Sequence, residues 1–270
     1  MKILFIRHGD PDYQHDSLTA KGWAEAEALA RFMSAEGGMG YDIDKFYCSP
    51  LGRARDTASL TLRALGQKAE IIDIFREFDE RIREPRQGRE SICWDFYPAD
   101  WTKDREAFDV HTWTKTPLLS GFPNIEAYYQ KVTHQFDEIL AENGYEREGY
   151  YYRAVKPHHR TIAIFCHLGV TCMLLSHLLH ISPYLILHGM FIPPTGLTLV
   201  QSEERDPGIA YFRSLYMGAT PHLVLDRQPI SGSGLYQECR DDPFRRIGVI
   251  YSLKECAPEG SPAERTRLSE

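Results

Sequence analysis

The chain of 270 residues lacks a long apolar run. A membrane span needs about 20 consecutive apolar residues. The opening KILFI run is interrupted by Arg7, so it is also too short for the apolar core of a signal peptide. An excess of basic residues is missing too: the formal net charge is -7, whereas bulk binding of nucleic acid normally shows as a basic face or tail. We therefore expect a cytoplasmic protein that binds neither membranes nor nucleic acid.

The six cysteines form no CxxC pair and show no spacing typical of metal ligands. Reduced thiols, several of them in the core, are the expected outcome. Cys166 precedes His167, which leaves a nucleophilic thiol as an alternative. That alternative is the weaker one, because thiolate activation needs a cationic environment.

What the sequence does contain is an alternation of buried-looking strands and amphipathic helices. The predicted strands are residues 2–6, 44–49, 70–74 and 161–166. The predicted helices begin after Thr19, after Pro50, near Ile125 and at Gly169. This order predicts an α/β fold, a three-layer α/β/α sandwich with a mostly parallel central sheet and helices on both faces. Residues 196–200 and 209–216 are expected to add an antiparallel pair at one edge.

Residues 1–225 are predicted to form a single domain, interrupted at about 78–122 by an insertion without sustained helical or strand periodicity. Irregular segments of this length are typical of functional lids or mobile segments. Residues 226–270 form a C-terminal extension rich in glycine, proline and charge, and its last dozen residues are expected to be disordered.

Three of the predicted strands end in residues suited to an anion. They are followed by Arg7, His8 and Gly9, by a turn with Arg53, and by His167. In an open parallel sheet, ligands bind beyond the carboxyl ends of the strands, so these side chains are expected to converge. Arginine forks match phosphoryl oxygens and an imidazole can act as nucleophile or donor. Arg53 also falls in the first turn of a helix, which favours a bound anion.

Five motifs in this order resemble the histidine phosphatase superfamily, in its phosphoglycerate mutase-like branch. They are RHG at 7–9, LTAKG at 18–22, SPLGRARDTA at 49–58, FRE at 75–77 and CHLG at 166–169. The resemblance spans most of residues 1–225 and implies that this domain is catalytic, with the phosphoglycerate mutase-like fold.

The resemblance implies a role for each matched residue. His8 would be the nucleophile that forms a phosphohistidine, and Arg7 and Arg53 would neutralise the phosphoryl charge. His167 would stabilise the transition state, and Glu77 would be the general acid and then the base. An attacking imidazole must be neutral, so we expect a backbone carbonyl to hold the proton on its other nitrogen. The scheme needs no metal and no cofactor.

The sequence departs from the family pattern at several positions. Pro11 replaces a small hydroxyl residue, Gln14 replaces an asparagine, and Leu168 replaces a glycine. Gln14 is still expected to help bind phosphate, together with Gly9. The acid has alternatives, because Asp79, Glu80 and Glu84 lie in the same REFDERIRE stretch as Glu77. Glu80 is the second choice.

The predicted activity is hydrolysis of a small phosphorylated metabolite. One alternative is a phosphoglycerate mutase, although residues 75–88 do not match the mutase stretch around the acid. Another is an inactive family member that binds a phosphorylated ligand or a partner protein. The family further suggests a homodimer.

Two other features remain hypotheses. Four arginines after Glu77 are expected to be exposed and neutralised by neighbouring acids, or else to bind a second substrate charge: Arg81, Arg83, Arg86 and Arg89. His222 is interpreted either as a residue behind the site or as part of a surface turn.

Overall fold

The computed structural model describes residues 1–35, 43–86 and 88–236. The strands, in chain order, are β1 Lys2–Arg7, β2 Pro11–Asp12, β3 Ser17–Leu18, β4 Ile43–Cys48, β5 Ala69–Ile71, β6 Arg81–Arg83, β7 Glu90–Ile92, β8 Tyr145–Glu148, β9 Tyr151–Ala154, β10 Thr161–Cys166, β11 Leu197–Asp206 and β12 Ile209–Ala219. The helices are α1 Ala20–Ser34, α2 Gly52–Leu65, α3 Pro98–Trp101, α4 Pro123–Glu142, α5 Leu168–Leu179, α6 Pro183–Gly189 and α7 Pro221–Leu225. Across these ranges, a helix with both the length and the apolar composition of a membrane span is absent.

Eight strands form the central sheet in the order β5-β4-β10-β1-β11-β12-β9-β8. The first four pair in parallel, and the others are joined by antiparallel pairing. Alternate residues of β1 face opposite sides of the sheet, as strand geometry requires. Ile3 and Phe5 pack on the side of α4 and α5, and Leu4 and Ile6 on the side of α1 and α2. The layered α/β fold is therefore as predicted.

The antiparallel pair β11 and β12 forms as expected, but it does not lie at an edge. β11 pairs with β1, β12 pairs with β9, and the short hairpin of β8 and β9 completes that side of the sheet. Sequence analysis missed this hairpin because its strands have four residues each and carry several charges. Only Tyr145, Tyr152 and Ala154 of these strands are buried.

The predicted strand over 70–74 is shorter than expected. β5 ends at Ile71, and a 3₁₀ turn over Asp73–Phe75 follows. Ile74 and Phe75 are buried in the core on the side of α4. The apolar residues that suggested a longer strand therefore serve to turn the chain inward, directly before Glu77.

The helix boundaries follow local chemistry. The Thr19 side chain caps α1 by accepting a hydrogen bond from the Gly22 amide, as the sequence predicted. α2 ends at Gly66, which has a left-handed φ of 63°, a conformation that glycine adopts without the steric cost of a side chain.

The insertion at 78–122 packs into the main core. It contains the hairpin of β6 and β7, the helix α3 and two 3₁₀ turns. Its buried apolar side chains join the cluster that covers one face of the sheet: Phe78, Ile82, Cys93, Trp94, Phe96, Trp101, Ala107, Trp113 and Leu119. The described part of this segment is thus an extension of the core, and its role as a lid stays a prediction.

Candidate active site

The carboxyl ends of β1, β10 and β4 meet at one edge of the sheet. β10 pairs in parallel with both neighbours, and Arg7 lies opposite Cys166. The chain leaves β1 at His8, whose amide donates to the Cys166 carbonyl. The His8 and His167 rings come to a centroid distance of 5.1 Å. The structure therefore brings together the two histidines that the motifs singled out.

His8 is 1% exposed, and its Nδ1 lies 2.7 Å from the Gly9 carbonyl oxygen. A carbonyl can only accept, so Nδ1 carries the proton and Nε2 keeps its lone pair. This is the backbone contact that we expected of a nucleophilic imidazole. Burial, and then the positive charge of Arg7, hold the pKa of His8 well below its usual value. The ring is therefore neutral at physiological pH.

The backbone of His8 is supported from behind. Its carbonyl accepts a hydrogen bond from the Thr195 amide, and the Thr195 hydroxyl lies 2.8 Å from Nε2 of His222. Burial lowers the pKa of His222 to about 3. His222 is thus a buried, neutral support and not part of a surface turn.

Arg7 and Arg53 are both nearly buried, at 3% and 8% exposure. Nη1 of Arg7 donates to the Ile192 and Ser233 carbonyls, and Nη1 of Arg53 donates to Asp16. Nε of each guanidinium is buried without a hydrogen-bond partner in the described part of the chain. Buried donors are rarely left unpaired in native proteins, so these two nitrogens need an acceptor from a ligand or solvent.

His167 is fully buried and precedes the first turn of α5. Its Nε2 lies 2.7 Å from the Ser49 hydroxyl oxygen, which already accepts a hydrogen bond from the Leu51 amide. The Ser49 proton is then free to bind Nε2, which favours a ring proton on Nδ1. Nδ1 is buried and has no partner among the described residues. Burial, and then His8, hold the pKa of His167 well below its usual value.

Glu77 is half-buried and lies at the start of α5. Its Oε1 accepts hydrogen bonds from the Phe78 amide at 2.8 Å and the Val170 amide at 3.1 Å. Desolvation raises the pKa of Glu77, although these two amides and the arginines oppose the rise. A Cβ on Gly169 would lie 2.7 Å from Oε1, so this carboxylate requires a residue without a side chain at position 169.

The alternative acids lie elsewhere. Glu80 accepts a hydrogen bond from the Asn124 side chain at the start of α4, Asp79 is exposed, and Glu84 accepts from the Arg86 amide. Leu168, where the family often has glycine, is 6% exposed and belongs to the core. The geometry therefore favours Glu77 over Glu80, and the leucine is accommodated by packing.

Gly9 and Gln14, the other two predicted phosphate ligands, have different surroundings. The Gly9 amide donates to the Thr57 hydroxyl at 2.9 Å, and a Cβ on Gly9 would lie 2.7 Å from the Gly22 carbonyl oxygen. A glycine is thus required at position 9 because α1 approaches closely, and the Gly9 amide already donates to a protein acceptor. Gln14 is exposed, and its backbone amide donates to the Asp12 carboxylate. The Gly9 amide thus has a protein acceptor, and the phosphate contact of the Gln14 side chain stays a prediction.

Sequence analysis missed several residues around this site. Ser49 and Thr57 lie inside a quoted motif, which could have identified them. Asp16 binds Arg53 from a loop that carries no motif. Ser233 belongs to the predicted extension, yet its carbonyl binds Arg7, and Tyr236 donates towards the Trp94 and Leu187 carbonyls. The predicted boundary at 225 therefore excludes residues that contact the site.

The cysteines and possible metal ligands are the next candidates from the sequence. Cys166 is buried with its sulfur 3.2 Å from the Thr171 hydroxyl, and burial raises its pKa to about 12, which is unfavourable for a thiolate nucleophile. Cys239, Cys256 and the last dozen residues lie outside the described residues. Within the described ranges, no group of three or more His, Cys, Asp or Glu residues is placed to hold a metal ion.

Two of the four insertion arginines, Arg83 and Arg86, are engaged within the insertion itself. Arg86 donates to both carboxylate oxygens of Asp100 at 2.6 and 3.0 Å, and its guanidinium lies 4.2 Å from the centre of the Tyr97 ring. Nε of Arg83 donates to the Gly88 carbonyl. These contacts match the expected exposed, acid-neutralised segment better than a second phosphate site.

Comparison with known proteins agrees with this geometry. The family model of the histidine phosphatase superfamily, branch 1, matches residues 3–214. A curated 2,3-bisphosphoglycerate-dependent phosphoglycerate mutase from Methylobacterium sp. (strain 4-46) is 37% identical over 117 residues, which is 43% of this chain and 49% of that protein. The chain thus matches about half the length of this relative.

Solved structures show the same fold. A phosphoserine phosphatase mutant from Entamoeba histolytica, in complex with phosphoserine, has a TM-score of 0.53 at 19% identity and covers 82% of this chain and 98% of its own. A phosphoserine phosphatase from that organism in complex with 3-phosphoglyceric acid has a TM-score of 0.50 at 17% identity, with the same two coverages. The family match confirms the predicted family, and these structures confirm the predicted fold class.

Proposed function

Because the chain belongs to branch 1 of the histidine phosphatase superfamily, we propose that it is a phosphatase. It hydrolyses a small phosphorylated metabolite through a phosphohistidine on His8. The phosphoserine and 3-phosphoglyceric acid bound by the matched structures are the first candidates for the class of substrate.

The observation that carries this proposal is a set of three buried nitrogens without partners in the described chain, all on residues that surround His8. They are Nε of Arg7, Nε of Arg53 and Nδ1 of His167. A phosphoryl group offers oxygen acceptors to all three, and charge-assisted hydrogen bonds of this kind are strong. A nucleophile therefore lies next to a set of donors that an anion would satisfy.

In the first half-reaction, Nε2 of His8 attacks phosphorus as the bond to the leaving oxygen breaks. Glu77 gives its proton to that oxygen, and the raised pKa supports a protonated carboxyl before attack. Arg7, Arg53 and His167 stabilise the charge on the transferring group. Positioned electrostatic stabilisation is the dominant contribution to phosphoryl transfer.

In the second half-reaction, water attacks the phosphohistidine. Glu77, now a carboxylate, takes a proton from that water as the P–N bond breaks, and inorganic phosphate leaves. His8 returns to its neutral form, in which Nδ1–H donates to the Gly9 carbonyl. Both half-reactions use the same residues, so one site suffices.

A mutase differs only in the acceptor of the phosphoryl group, which would be a sugar acid in place of water. The curated relative makes this the second candidate function. The absence of the mutase stretch around Glu77 favours the phosphatase.

The test is a panel of phosphomonoesters in the presence of chelator. It contains p-nitrophenyl phosphate, phosphoserine, 3-phosphoglycerate and 3-phosphoglycerate with 2,3-bisphosphoglycerate. We compare wild type with His8→Ala and with His15→Ala, a matched control because His15 is exposed and contacts Asp12. Phosphate release should disappear in His8→Ala alone, and labelled phosphate should be trapped on wild-type His8.

Other results would contradict the proposal in distinct ways. Isomerised 3-phosphoglycerate with little free phosphate would indicate the mutase. Loss of activity in chelator would contradict the metal-independent scheme. A folded protein that turns over no substrate would indicate the inactive, ligand-binding alternative.

A further inference from the structure

We propose that Asp16 is a positioning residue, whose carboxylate holds the Arg53 guanidinium in the orientation that stabilises the transferring phosphoryl group. Asp16 lies in the loop between β2 and β3, outside the motifs that define the family resemblance. The inference rests on the proposed function, because it assigns a task within the same site.

The Asp16 carboxylate makes two short contacts with the start of α2. Oδ1 accepts a hydrogen bond from Nη1 of Arg53 at 2.6 Å, and Oδ2 accepts one from the Gly52 amide at 2.6 Å. Gly52 is the first residue of α2, where free amides and the helix dipole favour an anion. Because each oxygen has its own donor, the carboxylate is held in place, and through Nη1 it restrains the orientation of the guanidinium.

The loop backbone is built around these contacts. Asp16 has a left-handed φ of 46°, a conformation that aspartate adopts more readily than most residues. A Cβ on Gly52 would lie 2.0 Å from the Asp16 carbonyl oxygen. The neighbouring Ser17 hydroxyl donates to Asp56, further along α2, at 2.5 Å. The loop thus contacts α2 at several adjacent points that fix the position of Asp16.

The contact leaves part of the guanidinium for a ligand. Asp16 binds Nη1, whereas Nε is buried without a partner in the described chain. The Asp16 side chain is 43% exposed and that of Arg53 is 10% exposed. Water therefore screens the carboxylate charge, so we expect its main effect to come from the geometry of the hydrogen bonds.

This geometry should affect the transition state more than the bound substrate. The transition state of phosphoryl transfer spreads charge over three equatorial oxygens and requires donors in fixed directions. A bound phosphate is attracted by a nearby cation whether or not that cation is oriented. The structure thus predicts a loss in kcat without a loss in affinity for phosphate.

The experiment compares Asp16→Asn with wild type. The NH₂ group that replaces one carboxylate oxygen cannot accept, so one of the two donors loses its acceptor and the orientation is lost while the size is kept. We expect kcat for p-nitrophenyl phosphate to fall about tenfold, less than the roughly hundredfold loss that a misplacement of about 1 Å can cause, with no rise in KM. Orthovanadate, which mimics the transition state, should bind about tenfold more weakly by the same reasoning, and inorganic phosphate should bind as tightly as before.

Two controls make the result specific. Asp12→Asn removes a carboxylate at the end of β2, just before that loop, whose contacts in the described part of the chain are with His15 and the backbone amides of Gln14 and His15, and it should leave kcat unchanged. In an Arg53→Ala background, Asp16→Asn should cause no further loss of kcat or of vanadate affinity, because its target is gone.

Several outcomes would overturn the inference. A lower KM with an unchanged or higher kcat would mean that Asp16 competes with the substrate for Arg53. A higher KM with a fall in melting temperature, or losses that add to those of Arg53→Ala, would mean a merely structural role. If wild type binds vanadate but hydrolyses nothing, the proposed function fails while the vanadate comparison still tests Asp16. If wild type binds neither vanadate nor phosphate, both fail.

Discussion

Glu77 combines two opposing influences on one carboxyl group. Burial raises its pKa, which favours the protonated acid, whereas the Phe78 and Val170 amides stabilise the carboxylate. A residue that alternates between acid and base needs access to both forms near the working pH. The amides therefore limit the rise in pKa without cancelling it.

Replacement of Glu77 should discriminate between leaving groups. In Glu77→Gln, kcat for alkyl phosphates such as phosphoserine should fall about a hundredfold or more, the usual contribution of a general acid. The loss should be far smaller for p-nitrophenyl phosphate, whose leaving group departs without a proton. Steady-state rates for the two substrates test this, and equal losses would contradict the assignment of Glu77 as the acid.

The pH dependence of the same reaction follows from the sign of the shift. As pH rises through the raised pKa of Glu77, the acid form disappears and hydrolysis of alkyl phosphates should fall. A pH profile of kcat/KM for phosphoserine should show this alkaline limb. The limb should be missing in Glu77→Gln and missing for p-nitrophenyl phosphate if formation of the phosphohistidine limits the rate.

Gly169 supports Glu77 by its lack of a side chain. In Gly169→Ala the new methyl would lie 2.7 Å from Oε1, so the carboxylate must move. We expect a loss of about tenfold or more in alkyl phosphate hydrolysis, the scale of a misplaced catalytic group. Gly189→Ala is the control, because a methyl there would meet no described atom within 4 Å. Equal activity of the two variants would contradict this requirement.

At the scale of elements, the glycine that follows α2 allows a test of stability that does not depend on catalytic activity. Gly66 has a left-handed φ of 63°, whereas the φ of Gly121 is not in the left-handed region. A Cβ at either position would meet no described atom within 4 Å, so the two glycines differ in backbone conformation and not in steric surroundings. Gly66→Ala should lower the free energy of unfolding by about 1 kcal/mol through backbone strain alone. Gly121→Ala should be neutral or slightly stabilising. Urea denaturation measures both, and equal stability of the two variants would contradict the strain argument.

Sequence patterns predicted the elements that carry strong local signals. β1, β4 and β10 were predictable because their apolar runs end in recognisable motifs, and α1 because Thr19 is a good cap. The hairpin of β8 and β9 was not predictable, because short charged segments form strands only through pairing with residues distant in sequence. The contacts of Asp16 and Ser233 with the site were not predictable either, since each residue is brought there by the course of a loop. Their contribution depends on tertiary placement, which no local pattern encodes.

At the scale of the whole molecule, the segment from Ile230 to Tyr236 packs against the residues of the candidate site. Ser233 binds Arg7, Ser231 binds Asp10, and Tyr236 binds backbone carbonyls of Trp94 and Leu187. It therefore connects both sides of the site, although it follows the last element of the sheet.

Two truncations test this conclusion. A chain ending after Gln228 should lose about tenfold or more in kcat/KM, because Arg7 loses an acceptor that orients it. A chain ending after Tyr236 retains these contacts and should keep its activity. Circular dichroism checks that both are folded. Equal activities of the two truncated chains would mean that the segment has no part in the site.

The position of β1 in the sheet also sets the order in which the protein can assemble. β1 is made early, yet it lies between β10 and β11, which are made late. During synthesis it has neither neighbour, so its two edges stay unpaired until Thr161–Cys166 and then Leu197–Asp206 have left the ribosome. Such long-range pairing slows folding and exposes intermediates to aggregation. His8 and His167 follow two of these strands, so the two halves of the site meet only when this late step is complete.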